Sequence, residues 1–106
     1  MRKVALVTGA SRGIGRAVAY QLAQDGYAVC VNYYERKDKA DELVSLLRGE
    51  GHDAIAVQAD VSVREEVNAM AARCARELGP VTLLVNNAGV AGQALFQDVT
   101  DELWDR

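Results

Sequence analysis

The sequence predicts an α/β fold, in which a parallel sheet of about four strands is doubly wound by three to four helices. Short apolar runs, as expected for strands buried on both faces, alternate with segments of helical periodicity. Strands that alternate with helices run parallel, because each connection crosses the sheet. The chain has 106 residues, half of them apolar, which suffices for one domain with a modest core. The first strand is expected near the centre of the sheet, since ligands bind where the strand order reverses.

The ends of the elements follow from local signals. Gly26 is expected to close the first helix, because glycine readily follows the last helical residue. Ser62 and Glu65 form a capping-box pattern that places the start of the third helix at Ser62, and Gly79-Pro80 ends that helix. The predicted strands are 3–8, 27–32, 53–58 and 81–85, and the predicted helices are 13–25, 37–49 and 62–78.

Helical periodicity also predicts which face of each helix packs on the sheet. A fourth helix is expected to begin at Thr100, a capping residue followed by acids, and to carry Leu103 and Trp104. The predicted inner faces are Ile14, Ala17, Val18 and Leu22 in the first helix; Ala40, Leu43, Val44 and Leu47 in the second; and Val67, Met70, Ala71, Cys74 and Leu78 in the third.

Composition and charge exclude several classes of function. The net charge is −3, without the basic stripe that is typical of nucleic-acid binding. No apolar run is long enough to span a membrane or to serve as a signal peptide, so a cytoplasmic protein is expected. Cys30 and Cys74 are expected to be buried free thiols, and the single histidine, His52, is expected to lie in a surface turn without a metal.

Three glycines follow the first apolar run, at a point where an ordinary fold would begin a well-packed helix. Gly9 permits a sharp turn off the strand, Gly13 lets a ligand approach the backbone, and Gly15 lets the helix pack closely on the sheet. A turn of this kind directs backbone N–H groups and the helix dipole at one spot, where a pyrophosphate binds well. The alternative interpretation is a tight structural turn.

Three motifs, in this order, resemble the short-chain dehydrogenase/reductase family. The segment TGASRGIG at 8–15 matches the pattern TGxxxGxG of that family, Asp60-Val61 matches its adenine-contacting position, and NNAG at 86–89 matches a further motif. The resemblance covers essentially the whole chain and is greatest to 3-oxoacyl-acyl-carrier-protein reductases and relatives that reduce small ketones. It implies a Rossmann fold and hydride transfer between a nicotinamide cofactor and a carbonyl or hydroxyl group.

The resemblance also implies roles for individual residues. Asp60 is expected to accept a hydrogen bond from the adenine amino group, with Val61 against the ring; the alternative is an acid that stabilises the N-terminus of the next helix. Asn86 is expected to tie the fourth strand to its neighbour. The pyrophosphate is assigned to Gly9, Ser11, Gly13, Ile14 and Gly15, and the adenosine ribose to Asn87, Ala88 and Gly89.

The end of the second strand favours NADP(H) over NAD(H), although NAD(H) stays possible. NAD-specific sheets end this strand with an acid that binds the ribose 2′-hydroxyl, whereas here the residue is the neutral Asn32. Arg12 and Arg36 are placed to meet a 2′-phosphate, although Arg36 could equally belong to a solvated helix start. Tyr33 and Tyr34 either flank the adenine or cover the edge of the sheet.

The chain is expected to bind cofactor without turnover, as the N-terminal portion of a longer enzyme. The resemblance implies that a tyrosine acts as the general acid, that a lysine in the same YxxxK motif lowers its pKa, and that a serine holds the carbonyl oxygen. Tyr33 and Lys37 show that spacing, but directly after the second strand, so we interpret it as coincidence and expect no catalytic residue here. The whole enzyme would be a homo-oligomer acting on a small carbonyl compound such as a 3-oxoacyl thioester. The alternative is a non-catalytic nucleotide-binding or oligomerising module.

Overall fold

A computed structural model describes residues 2–11 and 13–87. Within these residues the chain forms a four-stranded parallel sheet and three helices, which confirms the predicted α/β class. The elements, in chain order, are β1 (Val4–Val7), α1 (Gly13–Gln24), β2 (Ala28–Tyr33), α2 (Lys37–Gly49), β3 (Ala54–Gln58), α3 (Arg64–Glu77) and β4 (Leu83–Val85).

The strand order β3-β2-β1-β4 places β1 inside the sheet, as predicted. The chain moves from β1 to β2 and β3 in one direction and then crosses back to lay β4 on the other side of β1. Val7 pairs with Val31 on β2 and with Val85 on β4, so three carboxyl ends lie at one level. In open sheets of this kind, ligands bind beyond the carboxyl ends where the winding reverses, which here is between β1 and β4.

Side chains of β1 alternate between two buried layers, one on each face of the sheet. Val4 and Leu6 pack in the layer that contains the apolar face of α3. Ala5 and Val7 pack in the layer beneath α1 and α2. All four residues are fully buried, which explains why β1 is continuously apolar. The predicted inner faces of α2 and α3 are confirmed, and both cysteines are buried and free.

The predicted inner face of α1 is wrong at Ile14 and Ala17, whereas Leu22 does pack on the buried layer as expected. The buried residues of this helix are Gly15, Ala19 and Ala23, whereas Ile14 is 76% exposed. Ala17 is exposed as well, and Val18 and Leu22 are only half-buried. Small residues at a spacing of four form the fully buried face, and at Gly15 the helix approaches the backbone of the turn after β1 too closely for a side chain. A prediction from hydrophobicity alone therefore chose a helix face next to the one that is fully buried.

The predicted capping box at the start of α3 is also wrong. The helix begins at Arg64, and its N-cap, Val63, makes no side-chain capping bond. The hydroxyl of Ser62 instead donates to Oδ1 of Asp60 at 2.6 Å, and the amide of Ser62 donates to the same oxygen at 2.9 Å. Local turns of this type compete with helix capping. Glu66, one residue beyond the predicted partner, accepts a bond from the amide of Asp60 at 2.9 Å.

The remaining ends either match the prediction, as both ends of α2 do, or differ from it by one or two residues. β4 begins at Leu83 rather than at position 81, because the hydroxyl of Thr82 accepts the bond from the amide of Val4 at 3.0 Å in place of a backbone carbonyl. The predicted fourth helix from Thr100 lies outside the described residues. Among the helices that the structure does describe, none is both long and apolar enough to cross a bilayer.

Candidate nucleotide-binding site

The turn between β1 and α1 requires glycine at two positions. Gly9 has φ +59° and Gly13 has φ +64°, in the left-handed region that side chains disfavour. A Cβ atom on Gly13 would meet no atom within 4 Å, so the space in front of the helix start is open to a ligand. The first N–H groups of α1 have no acceptor within the helix, and they begin at this position. Arg12, between these residues, lies outside the described part of the chain.

Gly15 is where the turn, α1 and the end of β4 meet. A Cβ atom there would lie 2.4 Å from the carbonyl oxygen of Gly9 and 2.6 Å from Nδ2 of Asn87. The expectation was a close approach of the helix to the sheet. The structure shows that the approach is to the turn and to Asn87, whose amide donates to the same Gly9 oxygen at 3.4 Å.

The carboxyl ends of β1 and β4 are joined through Thr8, which is fully buried. Its amide donates to the carbonyl oxygen of Val85 at 3.0 Å. Its hydroxyl oxygen accepts a bond from the amide of Asn87 at 2.8 Å and lies 3.2 Å from Oδ1 of Asn86, to which it can donate. Asn86 thus connects β4 to its neighbour, as the sequence predicts. Ala88 and Gly89, expected beside the ribose, lie outside the described residues.

Asn32, near the end of β2, lies beneath the glycine turn rather than on its surface, with 2% of its surface exposed. Its Oδ1 accepts a bond from the amide of Gly9 at 3.1 Å. Tyr33, the next residue, is 8% exposed and packs in the layer under α1 and α2, while Tyr34 is 58% exposed at the end of the strand. Of the two tyrosines, only Tyr34 presents a broad aromatic surface to solvent.

A cavity of about 470 Å³ opens beside the turn. It is lined by Gly9, Ser11, Tyr34, Glu35 and Arg36, which brings the glycine segment and the end of β2 together. Nε and one terminal nitrogen of Arg36 each donate to a carboxylate oxygen of Asp38 at 3.2 Å. This pairing lowers the pKa of Asp38 and raises the pKa of Arg36. Because both side chains are exposed, an ion pair of this kind contributes little to stability.

The hydrogen-bond partner of Lys37 is a carboxylate, not the hydroxyl of Tyr33. Nζ of Lys37 donates to Oδ2 of Asp41 at 2.6 Å, one turn along α2. That bond raises the pKa of Lys37 and keeps it charged. The ring of Tyr33 meanwhile belongs to the buried layer under α1 and α2.

Asp60 lies two residues beyond β3, on the same edge of the sheet as the cavity. Hydrogen bonds from the hydroxyl and then the amide of Ser62 lower its pKa, so the carboxylate stays ionised. Val61 is half-buried and packs on the core layer of α3. Because α3 begins only at Arg64, Asp60 precedes the first helical turn, where the acids are Glu65 and Glu66. This position argues against the alternative role of Asp60 as a helix-stabilising acid.

Sequence reasoning missed two features of this region. It assigned no role to Thr8, although a polar residue at the end of an apolar strand already indicates a buried hydrogen bond. It also left Glu35 out of the site, although Glu35 lines the cavity. Outside this region, His52 is half-buried, with its Nε2 3.3 Å from the side-chain nitrogen of Gln24. In the part of the chain that the structure describes, no cluster of side chains could hold a metal ion.

Comparison with known proteins decides the family. A profile described as short chain dehydrogenase matches residues 3–106. The chain belongs to the short-chain dehydrogenase family. The matched range includes the turn after β1, the polar link between β1 and β4, and Asp60 after β3.

Curated relatives of this short-chain dehydrogenase chain include reductases from bacteria and fungi. The 3-oxoacyl-acyl-carrier-protein reductase of Staphylococcus aureus is 46% identical over 105 residues, which is 99% of this chain and 43% of that protein. Versicolorin reductase 1 of Aspergillus parasiticus is 42% identical over 104 residues, or 98% of this chain and 40% of that protein. The chain thus spans less than half the length of these relatives.

Solved structures show the same fold. A short-chain dehydrogenase from Burkholderia cenocepacia, in complex with NADP, is 43% identical with a TM-score of 0.79. A blue fluorescent protein from a metagenomic library, in complex with NADPH, is 43% identical with a TM-score of 0.80. Each alignment covers 83% of this chain and 36% of the other.

Proposed function

We propose that the protein carrying this chain is an NADP(H)-dependent oxidoreductase, and that this chain binds the adenosine end of the cofactor. The observation that carries the proposal is the cavity between the glycine turn and the end of β2, lined by Ser11, Tyr34 and Arg36. It lies at the carboxyl edge of the sheet, beside the strand where the winding reverses.

The pyrophosphate is proposed to bind at the start of α1. Open space in front of Gly13 and the unpaired N–H groups of a first helical turn suit an anion, and the helix dipole adds to the attraction. Ser11 and Ile14 flank this position, and the 76% exposed side chain of Ile14 faces away from the protein core. Arg12 remains a proposal on sequence alone.

The adenosine is proposed to extend from this point toward the ends of β2 and β3. The ionised carboxylate of Asp60 is an acceptor for the adenine amino group, with Val61 beside it. Asn87 is proposed to contact the ribose from the β4 side, together with Ala88 and Gly89. Its side chain already reaches the carbonyl of Gly9 at the mouth of the turn.

Recognition of a 2′-phosphate is proposed to rest on Arg36. The guanidinium lines the cavity, and its carboxylate partner Asp38 is on the surface, where a phosphate dianion can displace it. The last two residues of β2, Asn32 and Tyr33, carry no carboxylate that could bind a free ribose hydroxyl. The NADP and NADPH complexes of two structural relatives support the same cofactor class.

The reaction is proposed to be hydride transfer between the nicotinamide and a carbonyl or hydroxyl substrate, such as a 3-oxoacyl thioester. The similarity to the Staphylococcus aureus reductase supports this substrate class. The described residues contain no supported proton-transfer pair, so this chain by itself is expected to bind cofactor without turnover. The whole enzyme is proposed to be a homo-oligomer.

Titration calorimetry of the purified chain with NADP⁺ and with NAD⁺ tests the cofactor. We expect Arg36→Ala to weaken NADP⁺ binding about tenfold or more and to leave NAD⁺ binding unchanged, since one charge-assisted contact to the 2′-phosphate is removed. Arg73→Ala is the matched control, because Arg73 forms a similarly exposed pair with Glu77 on α3. Equal effects of both variants, or a folded chain that binds neither nucleotide, would contradict the proposed site.

A further inference from the structure

The side chain of Asn32 connects the glycine turn to two neighbouring strand ends. Its Oδ1 accepts a bond from the amide of Gly9 at 3.1 Å. Its Nδ2 lies 3.3 Å from the carbonyl oxygens of both Val57 and Ala59, and 3.4 Å from that of Tyr33. One buried amide therefore joins the turn after β1 to the ends of β2 and β3.

The main chain of the same residue strengthens this connection. The amide of Ala10 donates to the backbone carbonyl oxygen of Asn32 at 2.9 Å. Two successive amides of the turn, those of Gly9 and Ala10, are thus both bonded to one residue of β2. These two bonds determine where the turn lies relative to the sheet, and therefore where the N-terminus of α1 lies.

An aspartate could not replace this amide. Oδ1 faces a donor, whereas Nδ2 faces only carbonyl oxygens, so the site needs an acceptor on one side and a donor on the other. A buried carboxylate would place a negative oxygen against these carbonyls without a hydrogen to share. The environment of Asn32 therefore disfavours an acid at this position of β2.

We propose that Asn32 is a positioning residue for the cofactor: it sets the glycine turn at the height where the start of α1 meets the pyrophosphate, without itself contacting the ribose. This inference rests on the proposed function. If Asn32 has this role, the cavity side chains discriminate between NADP(H) and NAD(H), whereas the side-chain amide of Asn32 is needed to bind either cofactor.

Two nucleotides separate positioning from a general structural role. NADP⁺ carries the pyrophosphate, whereas adenosine 2′-monophosphate carries only the adenosine and the 2′-phosphate. We expect Asn32→Ala to weaken NADP⁺ binding about fivefold to tenfold, because the hydrogen bond between the Asn32 side chain and the turn is lost. The affinity for adenosine 2′-monophosphate, measured by NMR shift titration, should change less than about twofold in the same variant. Equal losses for the two probes would overturn the proposal.

A second variant separates positioning from direct contact. If Asn32 occupies a ribose-binding position, Asn32→Asp should strengthen NAD⁺ binding, because the new carboxylate would accept from the 2′-hydroxyl. If Asn32 positions the turn, the same change should weaken NAD⁺ binding. Asn68, exposed on α3, supplies the matched controls Asn68→Ala and Asn68→Asp, which should change neither affinity. Stronger NAD⁺ binding by Asn32→Asp would overturn the proposal.

Hydrogen exchange of the unmodified chain keeps the inference testable if the variants fail to fold. The amide of Gly9 should exchange slowly, since its acceptor is a buried side chain, while the exposed amide region around Glu35 exchanges fast. Fast exchange at Gly9 would overturn the proposal. An unmodified chain that shows slow exchange but binds neither nucleotide would instead refute the proposed function, so the two failures are distinguishable.

Discussion

Replacing Gly15 with alanine is expected to destabilise the chain, although alanine is the better helix former. Gly15 is the third residue of α1 and lacks a positive φ, so its backbone conformation alone does not require glycine. In an unobstructed helix this change would stabilise the fold by about 1 kcal/mol. The expected loss must therefore come from contacts with the turn and with β4.

The magnitude follows from the distances. The new Cβ would lie 2.4 Å from the Gly9 carbonyl oxygen and 2.6 Å from Nδ2 of Asn87, and the first of these atoms belongs to the backbone. Overpacking of a closed site costs about 1–3 kcal/mol, and a backbone obstruction places this case at the upper end. After the gain in helix propensity, we expect a net loss of about 2 kcal/mol in the free energy of unfolding.

Urea denaturation followed by circular dichroism measures this change, with two glycines as controls. Gly49→Ala, at the end of α2, meets no atom within 4 Å and should stabilise the chain by about 0.5 kcal/mol. Gly13→Ala also meets no atom, but its φ of +64° should cost about 1 kcal/mol through backbone strain. Gly49→Ala thus reports helix propensity, Gly13→Ala reports backbone strain, and Gly15→Ala reports the steric overlap.

A Gly15→Ala variant as stable as the unmodified chain would refute the reasoning. It would mean that α1 and the turn separate easily, and that the close contact with Gly9 is not a constraint on the fold. If only the position of the turn yields, NADP⁺ binding should fall while stability is retained. Loss of both properties together is the expected result.

Three further predictions concern single side chains. Thr8→Val should cost about 1–2 kcal/mol of unfolding free energy in urea denaturation, because the amide of Asn87 loses its buried acceptor. Ser62→Ala should raise the pKa of the Asp60 carboxyl, which carboxyl-carbon NMR measures. Because this pKa is lower in the folded chain than in the unfolded chain, the ionised carboxylate stabilises the fold above the unfolded pKa, and this stabilisation is lost as the pH falls through the folded pKa. The variant should therefore lose less stability in acid. The Cys30 thiol should resist alkylation in the folded chain even at alkaline pH, because its contact with the second cysteine and burial raise its pKa; mass spectrometry showing rapid labelling would contradict this.

The type and order of the elements could be predicted because they depend on short-range patterns. Residues 4–7 are apolar without interruption because β1 is covered on both faces. The limits of α2, Lys37–Gly49, were predicted to the residue. The glycine turn, Asp60 and Asn86 follow separate strands, and parallel strands bring their carboxyl ends to one edge. The sequence therefore determined the fold class and the edge where the site lies.

The tertiary structure decided which of several local options each residue takes. Whether α1 buries Ile14 or Gly15 depends on how near the helix lies to Gly9 and to Asn87. Asn87 is 72 positions beyond Gly15 in the chain. Ser62 could cap α3 or bond to Asp60, and both options look alike in sequence. The partners of Asn32 come from three strand ends. Periodicity reports burial along one element, whereas interatomic distances and the sharing of hydrogen bonds arise only when distant segments meet.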